Sequence, residues 1–393
     1  MNKLQLKDWI LSIQHVLAMT GATVLVPLLT GMSPAMALLG AGLGTLLFHF
    51  ITKKEVPVFL GSSFAFIAPI CVIMEQFGMQ YVQGGIIAVG LIYALVAFII
   101  SKIGSDKITK ILPPHVVGAM IIIIGLNLVP SAWANIQTHM LIAFITLAVS
   151  LCVSFLGKGF IKQLGVLLGV VIGFLGAIWL GLVDFSLIQN ASFFAIPAFT
   201  LPKFSVGALM VIVPVAICTL MEHVGDITTN STIVGKDFIK EPGLHRTILG
   251  DGLATALAGL IGAPPNTTYG ENTALLAITK NYDPKLLRRA AGIAIVLAFI
   301  GVFGATLQSI PACVIGGISL QLYCMIAWSG VKNIIRDRSW ENAYKVFIII
   351  VMLVIGLSGF SIQIGSVALS GLALSALVGI VLNLIGNKLI KRA

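Results

Sequence analysis

Apolar runs of roughly 20 residues follow one another along almost the whole chain, separated by short polar stretches. A hydrocarbon layer about 30 Å thick needs about that many residues per helix, so each run predicts one membrane span. Counted this way the spans fall near 9–30, 33–51, 57–75, 81–102, 112–130, 138–156, 164–182, 205–225, 246–262, 264–280, 286–308, 310–330, 343–360 and 364–386. The predicted fold class is an all-α polytopic membrane protein with 14 transmembrane spans.

Two of these runs break the pattern. "VPVFLGSSFAFIAPI" at 56–70 and "APPNTTYGENTALLAI" at 263–278 both start at proline, pass through small and polar residues with a glycine, and only then become ordinary apolar helix. Irregular backbone is tolerated at membrane depth only where protein or a water-filled cavity satisfies its polar groups. Interrupted spans at matching places in two halves of a chain point to a transporter's binding site.

The halves do match. "QHV" at 14–16 in span 1 is echoed by "EHV" at 222–224 in span 8, and 49 residues separate both Gln14 from Ser63 and Glu222 from Glu271. Fourteen is twice seven, and an odd-numbered repeat inserts upside down relative to its partner, so two inverted seven-span repeats are expected. The long external segment 184–204, "DFSLIQNASFFAIPAFTLPKF", joins them and suits a strip lying at the outer interface.

Charge orients this arrangement. The chain carries a net charge of +10, but its basic residues form small clusters between apolar runs and no continuous patch, which excludes a nucleic-acid partner. The clusters lie at Lys3 and Lys7, Lys53 and Lys54, Lys102–Lys110, Lys158 and Lys162, Lys236–Arg246, Lys280–Arg289, Lys332–Lys345 and Lys388–Arg392, all on one side of a 14-span layout. Of the 24 basic residues only Lys203 falls opposite. The positive-inside rule then predicts both termini in the cytoplasm of a multi-pass protein of the cytoplasmic (inner or plasma) membrane, with lipid as a partner. The N-terminal run is too long for a signal peptide, contains Gln14 and His15 and ends in no cleavage site, so it is expected to remain as the first span.

Composition removes other classes. The five cysteines lie in or beside apolar segments without a CxxC pair or His/Cys ligand spacing, so neither a disulfide framework, a metal site nor a cofactor is predicted. No nucleophile constellation or phosphate loop supports an enzyme.

Few acids enter the spans: Glu222 and Asp226 in span 8, Asp251 in span 9 and Glu271 in span 10. A charge at mid-bilayer costs about 2.5–3.5 kcal/mol on insertion scales, so each requires a reason. Glu222 and Asp226 are four apart and share a helix face. Glu271 follows Tyr269-Gly270, where the broken span resumes as helix. Asp226 is placed near the cytoplasmic end, where a solvated or helix-bonding role competes with proton relay, and Asp251 suits a bond between helices. His15 and His223 read either as hydrogen-bonding struts or as proton carriers. Phe64 and Tyr323 on sequence alone read as core aromatics. Two half-helix N-termini offering NH groups, together with two carboxylates accepting them, suit a flat neutral heterocycle with carbonyl and NH edges better than an anion.

These residues carry a family resemblance. "SIQHVLAMTGATVLVPLL" at 12–29, "VPVFLGSSFAFIAPI" at 56–70, "EHVGD" at 222–226, "PGLHRTILGDGL" at 242–253 and "PPNTTYGENTALLAITK" at 264–280 resemble the nucleobase-ascorbate transporter family of nucleobase:cation symporters, in its bacterial uracil permease branch. The resemblance implies short antiparallel strands in spans 3 and 10, a core domain (1–104 and 205–308, spans 1–4 and 8–11), a gate domain (105–204 and 309–393, spans 5–7 and 12–14), and a homodimer. It further implies uracil–proton symport by alternating access. Glu222 and Glu271 would then hydrogen-bond the base, backbone NH groups of Phe64 and Gly270 would meet its carbonyls, and Tyr269 and Tyr323 would line the pocket. Glu222, Asp226, Glu271 and His15 are the candidates for proton coupling. Glu271 resembles the residue of uracil carriers, where xanthine carriers have Gln. Ala274 replaces a common glycine, and Asp226 stands where some uracil permeases have a proton-coupling histidine, which leaves open which group carries the proton here. A purine substrate, sodium coupling, or an anion transporter or channel of related architecture are the alternatives.

Overall fold

The structure is a computed structural model that describes residues 3–104, 113–360, 362–364, 367–369 and 371–390. Lys107, Lys110, Lys391 and Arg392 of the basic clusters, and the start of the proposed gate segment at 105, lie outside the described residues. Among the described residues, six helices are long and apolar enough to cross a membrane: Leu6–Thr30, Pro34–Ile51, Met79–Lys102, Pro114–Gln137, Val206–Val234 and Ala312–Arg336. Shorter apolar helices accompany them at Phe64–Gln76, Met140–Leu156, Gly165–Trp179, Ala343–Leu357 and Leu374–Gly386.

In chain order the elements are α1 (Lys3–Thr30), α2 (Pro34–Ile51), β1 (Leu60–Ser62), α3 (Ile67–Gln76), α4 (Met79–Ile103), α5 (Pro114–Gln137), α6 (Met140–Leu156) and α7 (Gly165–Trp179). The second half follows with α8 (Val206–Ile212), α9 (Val215–Val234), α10 (Leu244–Ile261), β2 (Asn266–Thr268), α11 (Gly270–Thr279), α12 (Pro284–Ala298) and α13 (Gly301–Gln308). It ends with α14 (Ala312–Arg336), α15 (Ala343–Leu357), β3 (Ile362–Ile364), β4 (Val367–Leu369) and α16 (Gly371–Ile390). Packing sorts the helices into two sets. α2 packs on α10 and α12, and α4 lies along α10; α5 lies along α14, α6 on α7 and α15 on α16.

Three spans differ from the hydropathy reading. Span 8 does not end at residue 225: after a turn at Val213-Pro214, α9 continues to Val234. Its last turns, "ITTNSTIV", are polar by composition, but the hydroxyls of Thr228, Thr229, Ser231 and Thr232 each bond the carbonyl four residues back, at 2.7–3.0 Å. Those donors are satisfied within the helix, so the segment stays helical where hydropathy predicts a loop. Span 11 is two helices, because Ile300 between α12 and α13 pairs with Phe194 of the external strip instead of continuing the helix. Span 14 begins with the β3–β4 hairpin, and its helix starts at Gly371.

The external strip is stitched to this scaffold. Gln83 of α4 donates to Thr200 O (2.9 Å) and Gly259 O (3.2 Å) and accepts from the Thr200 hydroxyl at 2.6 Å. The backbone adds Lys203 N to Gln80 O, Ala195 N to Phe299 O and Gly301 N to Phe193 O.

Candidate functional site

The two interrupted spans meet at their strands. β1 and β2 pair antiparallel with Leu60 opposite Thr268, Gly61 opposite Thr267 and Ser62 opposite Asn266. Pro57 and Pro265 precede them. Proline lacks an NH and cannot extend a helix, so the chain stays extended until Ser63 and Tyr269, both in extended conformation. Backbone polar groups freed this way need partners, since none comes from lipid. The strands supply some, and Ser63 N to Pro265 O (2.9 Å) and Tyr269 N to Phe59 O (3.0 Å) extend the ladder.

Side chains from the surrounding helices satisfy more of them. Thr45 of α2 accepts from Leu60 N at 2.9 Å and donates to Leu60 O at 3.3 Å. Asn266 donates to Gly40 O and Ala254 O, both at 3.2 Å, and Thr255 donates to Asn266 O at 3.1 Å. Asn230 of α9 donates to Pro57 O at 3.0 Å. Tyr269 closes the crossing: its hydroxyl accepts from Thr23 of α1 and donates to Ser62 O, each at 3.0 Å.

Past the strands the chain turns helical at a short 3-10 turn, Phe64–Phe66, and at Gly270, and no side chain caps either start. The first NH groups of a helix have no partner within it, and the macrodipole makes that end attractive to oxygen. A cavity of about 780 Å³ lies beside these starts, walled on one side by Phe64, Ala65, Glu222, Asp226 and Glu271 and on the other by Ile121 and Ile124 of α5 and Leu322, Met325 and Ser329 of α14. It runs along α14 to Lys332 and Arg336, the end that the charge pattern predicts to be cytoplasmic.

Glu222 and Glu271 both face this cavity, and no other side chain among the described residues forms an ion pair or hydrogen bond with either carboxylate. Asp226 differs. Its Oδ2 accepts a 2.6 Å hydrogen bond from Thr268 of β2, so it ties α9 to the strand. Because α9 runs on to Val234, Asp226 sits inside the span and not near its end, against the sequence expectation. Thr268→Val keeps the shape but removes the donor; a loss of about 1.5–3 kcal/mol of stability is expected, read as a lower thermal midpoint in detergent. Asp226→Asn, which still accepts, is expected to lose less than Asp226→Ala.

The other candidates are placed differently. Gly270 opens on a separate space of about 100 Å³ lined with Asp226, Thr229 and Thr273. Tyr269 lies off the main cavity, 3% exposed, its hydroxyl committed to Thr23 and Ser62 and its ring on Gly61. Tyr323 is fully buried against α5 with its hydroxyl beside Ser131 and Ser319, and its neighbour Leu322 faces the cavity instead. His15 is buried; Asn272 Nδ2 lies 3.1 Å from both its ring Nδ1 and its carbonyl, so the pair binds α1 to α11 as a strut. His223 Nδ1 lies 3.2 Å from Asp251 Oδ2, joining α9 to α10 away from the cavity. The sequence assigns neither Thr268 nor Asn272 a bonding partner. Their signal was adjacency to Glu271 in a stretch where every polar side chain needs a partner.

Residues 6–365 match the Permease family (Xan_ur_permease). The chain is 42% identical over 401 residues to the uracil permease of Bacillus subtilis (strain 168), covering 96% of this chain and 92% of that one. It is 45% identical over 396 residues to the uracil permease of Bacillus caldolyticus, with the same coverage. With the uracil permease of Escherichia coli (strain K12) the identity is 41% over 387 residues, covering 95% and 90%. Among solved structures, the transmembrane domain of the cyanobacterial bicarbonate transporter BicA superposes with a TM-score of 0.66 at 15% identity, covering 98% of each chain. The overall structure of SLC26A9 gives 0.74 at 12%, covering 96% of this chain and 64% of the other. At such identities the two structures bear on the fold alone, a mostly helical membrane transporter fold.

Proposed function

Because this chain belongs to the Permease family, and is therefore a multi-pass membrane transporter and not an enzyme, we propose that it imports uracil across the cytoplasmic membrane together with protons. The observation that carries this reading is one cavity that holds two carboxylates without side-chain partners together with the uncapped helix start at Phe64. Uracil matches both sets: its ring NH groups donate to Glu222 and Glu271, and a carbonyl accepts from the backbone NH at Phe64, whereas Gly270 lies on the separate smaller space. Phe64 offers an apolar face to the ring. An anionic cargo would meet two carboxylates at the same place.

The wider scheme is part of the proposal. Fourteen spans form two inverted repeats; a core domain of residues 1–104 and 205–308 and a gate domain of 105–204 and 309–393 move past each other to alternate access. Both termini are cytoplasmic, and the carrier works as a homodimer. The packing of α2, α4, α10 and α12 together, and of α5 with α14, supports that division. The cavity between the sets extends towards the predicted cytoplasmic side, as in an inward-open state. One of Glu222, Glu271, Asp226 and His15 takes the proton outside and releases it inside. Protonation turns a carboxylate from acceptor to donor at one oxygen, which couples its occupancy to that of the base.

The purified chain in proteoliposomes tests this. Labelled uracil is expected to accumulate when the outside is acidic, without sodium, and to be displaced by unlabelled uracil but not by xanthine. Accumulation that follows a sodium gradient, or displacement by purines alone, would defeat the assignment.

A further inference from the structure

The cavity has two chemically opposite ends. Its inner end is lined by Glu222, Asp226 and Glu271, while its mouth carries Lys332 and Arg336, four residues apart and therefore on one face of α14. From Met325 to Lys332 is seven residues, about 10 Å of helix, a gap that a lysine side chain spans in large part.

These two cations differ from their neighbours. Just beyond them, Lys345 Nζ lies 2.9 Å from Asp337 Oδ2, and Arg338 lies 3.9 Å from Glu341. The acids of that end are thereby engaged by other bases. Lys332 and Arg336 have no carboxylate partner among the described residues, and both are exposed within the cavity lining. Topology explains why basic residues stand at this end of the helix; it does not explain why the two that look into the cavity stay unpaired.

One ligand class fits both ends: a ring with NH and carbonyl edges, joined to an anionic tail. We propose that the mouth, with Lys332 and Arg336, makes the carrier a site for a pyrimidine nucleoside monophosphate entering from the cytoplasm. This inference rests on the uracil reading above. Uridine monophosphate keeps both ring carbonyls and one ring NH, so it loses one donor to the carboxylates and gains a phosphate held by two cations. Arginine offers phosphate a paired donor geometry that lysine complements as a point charge. The ligand is the product of the reaction class that consumes a free base by joining its ring nitrogen to a ribose phosphate. Bound at the mouth, it occupies the exit and holds the carrier open inward, so import slows as that product accumulates.

The test measures displacement of labelled uracil from the purified full-length chain by uridine monophosphate, uridine, ribose 5-phosphate and inorganic phosphate. Uptake into proteoliposomes loaded internally with the same compounds is the second readout. The monophosphate is expected to compete at least tenfold more strongly than uridine, and to inhibit uptake only from the lumen of inside-in vesicles. K332Q/R336Q is expected to weaken that competition about tenfold while leaving uracil binding unchanged. Equal competition by uridine and its monophosphate, or an unaffected double variant, overturns the proposal and leaves the uracil reading standing. Competition by inorganic phosphate as strong as by the nucleotide also overturns it, in favour of a general anion site. Absence of uracil binding itself defeats both readings.

Discussion

Glu271→Gln weakens uracil binding about 100-fold and abolishes uphill uptake in proteoliposomes. The magnitude follows from chemistry: a hydrogen bond to a charged acceptor in a protein contributes about 1.5–3 kcal/mol, and the upper part of that range is a factor of about 100. Glutamine keeps one acceptor but presents an NH2 where the carboxylate had a second oxygen, so a donor of the base meets a donor. Glu222→Gln is expected to act in the same direction. Since neither carboxylate is held by another side chain, the substitutions break no bond between side chains, and the variants are expected to unfold at no lower a temperature than the parent without ligand. Unaltered accumulation of uracil by Glu271→Gln would falsify the roles given to this residue.

A second large effect is expected from a single methyl group far smaller than any substrate. In β1, a Cβ built at Gly61 would stand 2.4 Å from the ring of Tyr269. Such a ring cannot swing aside, because its hydroxyl is fixed between Thr23 and Ser62. Gly61→Ala must therefore shift the ring or part the strands, at an overpacking cost of about 1–3 kcal/mol. Both helix starts lean on that pairing, so uracil binding should fall with stability. Gly61→Ala combined with Tyr269→Phe, which frees the ring from its two partners, is expected to recover part of the thermal midpoint. A thermal midpoint unchanged by Gly61→Ala would show that the strands do not constrain the ring.

Much of the site could be read from the sequence because the membrane makes polar residues expensive. Glu222 and Glu271 stood out as charges at bilayer depth, and the prolines at 57, 264 and 265 marked where helix could not begin. Asp251 and His223, read as candidates for a bond between helices, lie 3.2 Å apart in one. What hydropathy misreads is polarity satisfied locally. Thr228, Thr229, Ser231 and Thr232 count as loop formers until their hydroxyls are seen bonded within α9, and the position of Asp226 changes with that extension.

Helix phase was the other blind spot. Adjacent residues on a helix point about 100° apart, so deciding between Leu322 and Tyr323 for the cavity wall depends on how α14 is rotated against α5, which no local pattern records. Tyr269 was invisible as a clasp for a related reason: its partners Thr23 and Ser62 lie in the other half of the chain. Lys332 and Arg336 were read only as signals of orientation, because a charge pattern says which side a residue is on and nothing about what it looks into.

The pairing of β1 with β2 has a consequence for how the protein is made. The strands lie about 200 residues apart in the chain, so during synthesis β1 reaches the bilayer long before its partner exists. Its peptide groups then have neither the ladder nor the side chains of Asn230 and Tyr269, and lipid offers no substitute. The first strand is thus held short of its final form until β2 leaves the ribosome. A chain released before β2 is made therefore leaves β1 without its partner strand and should be open to proteolysis.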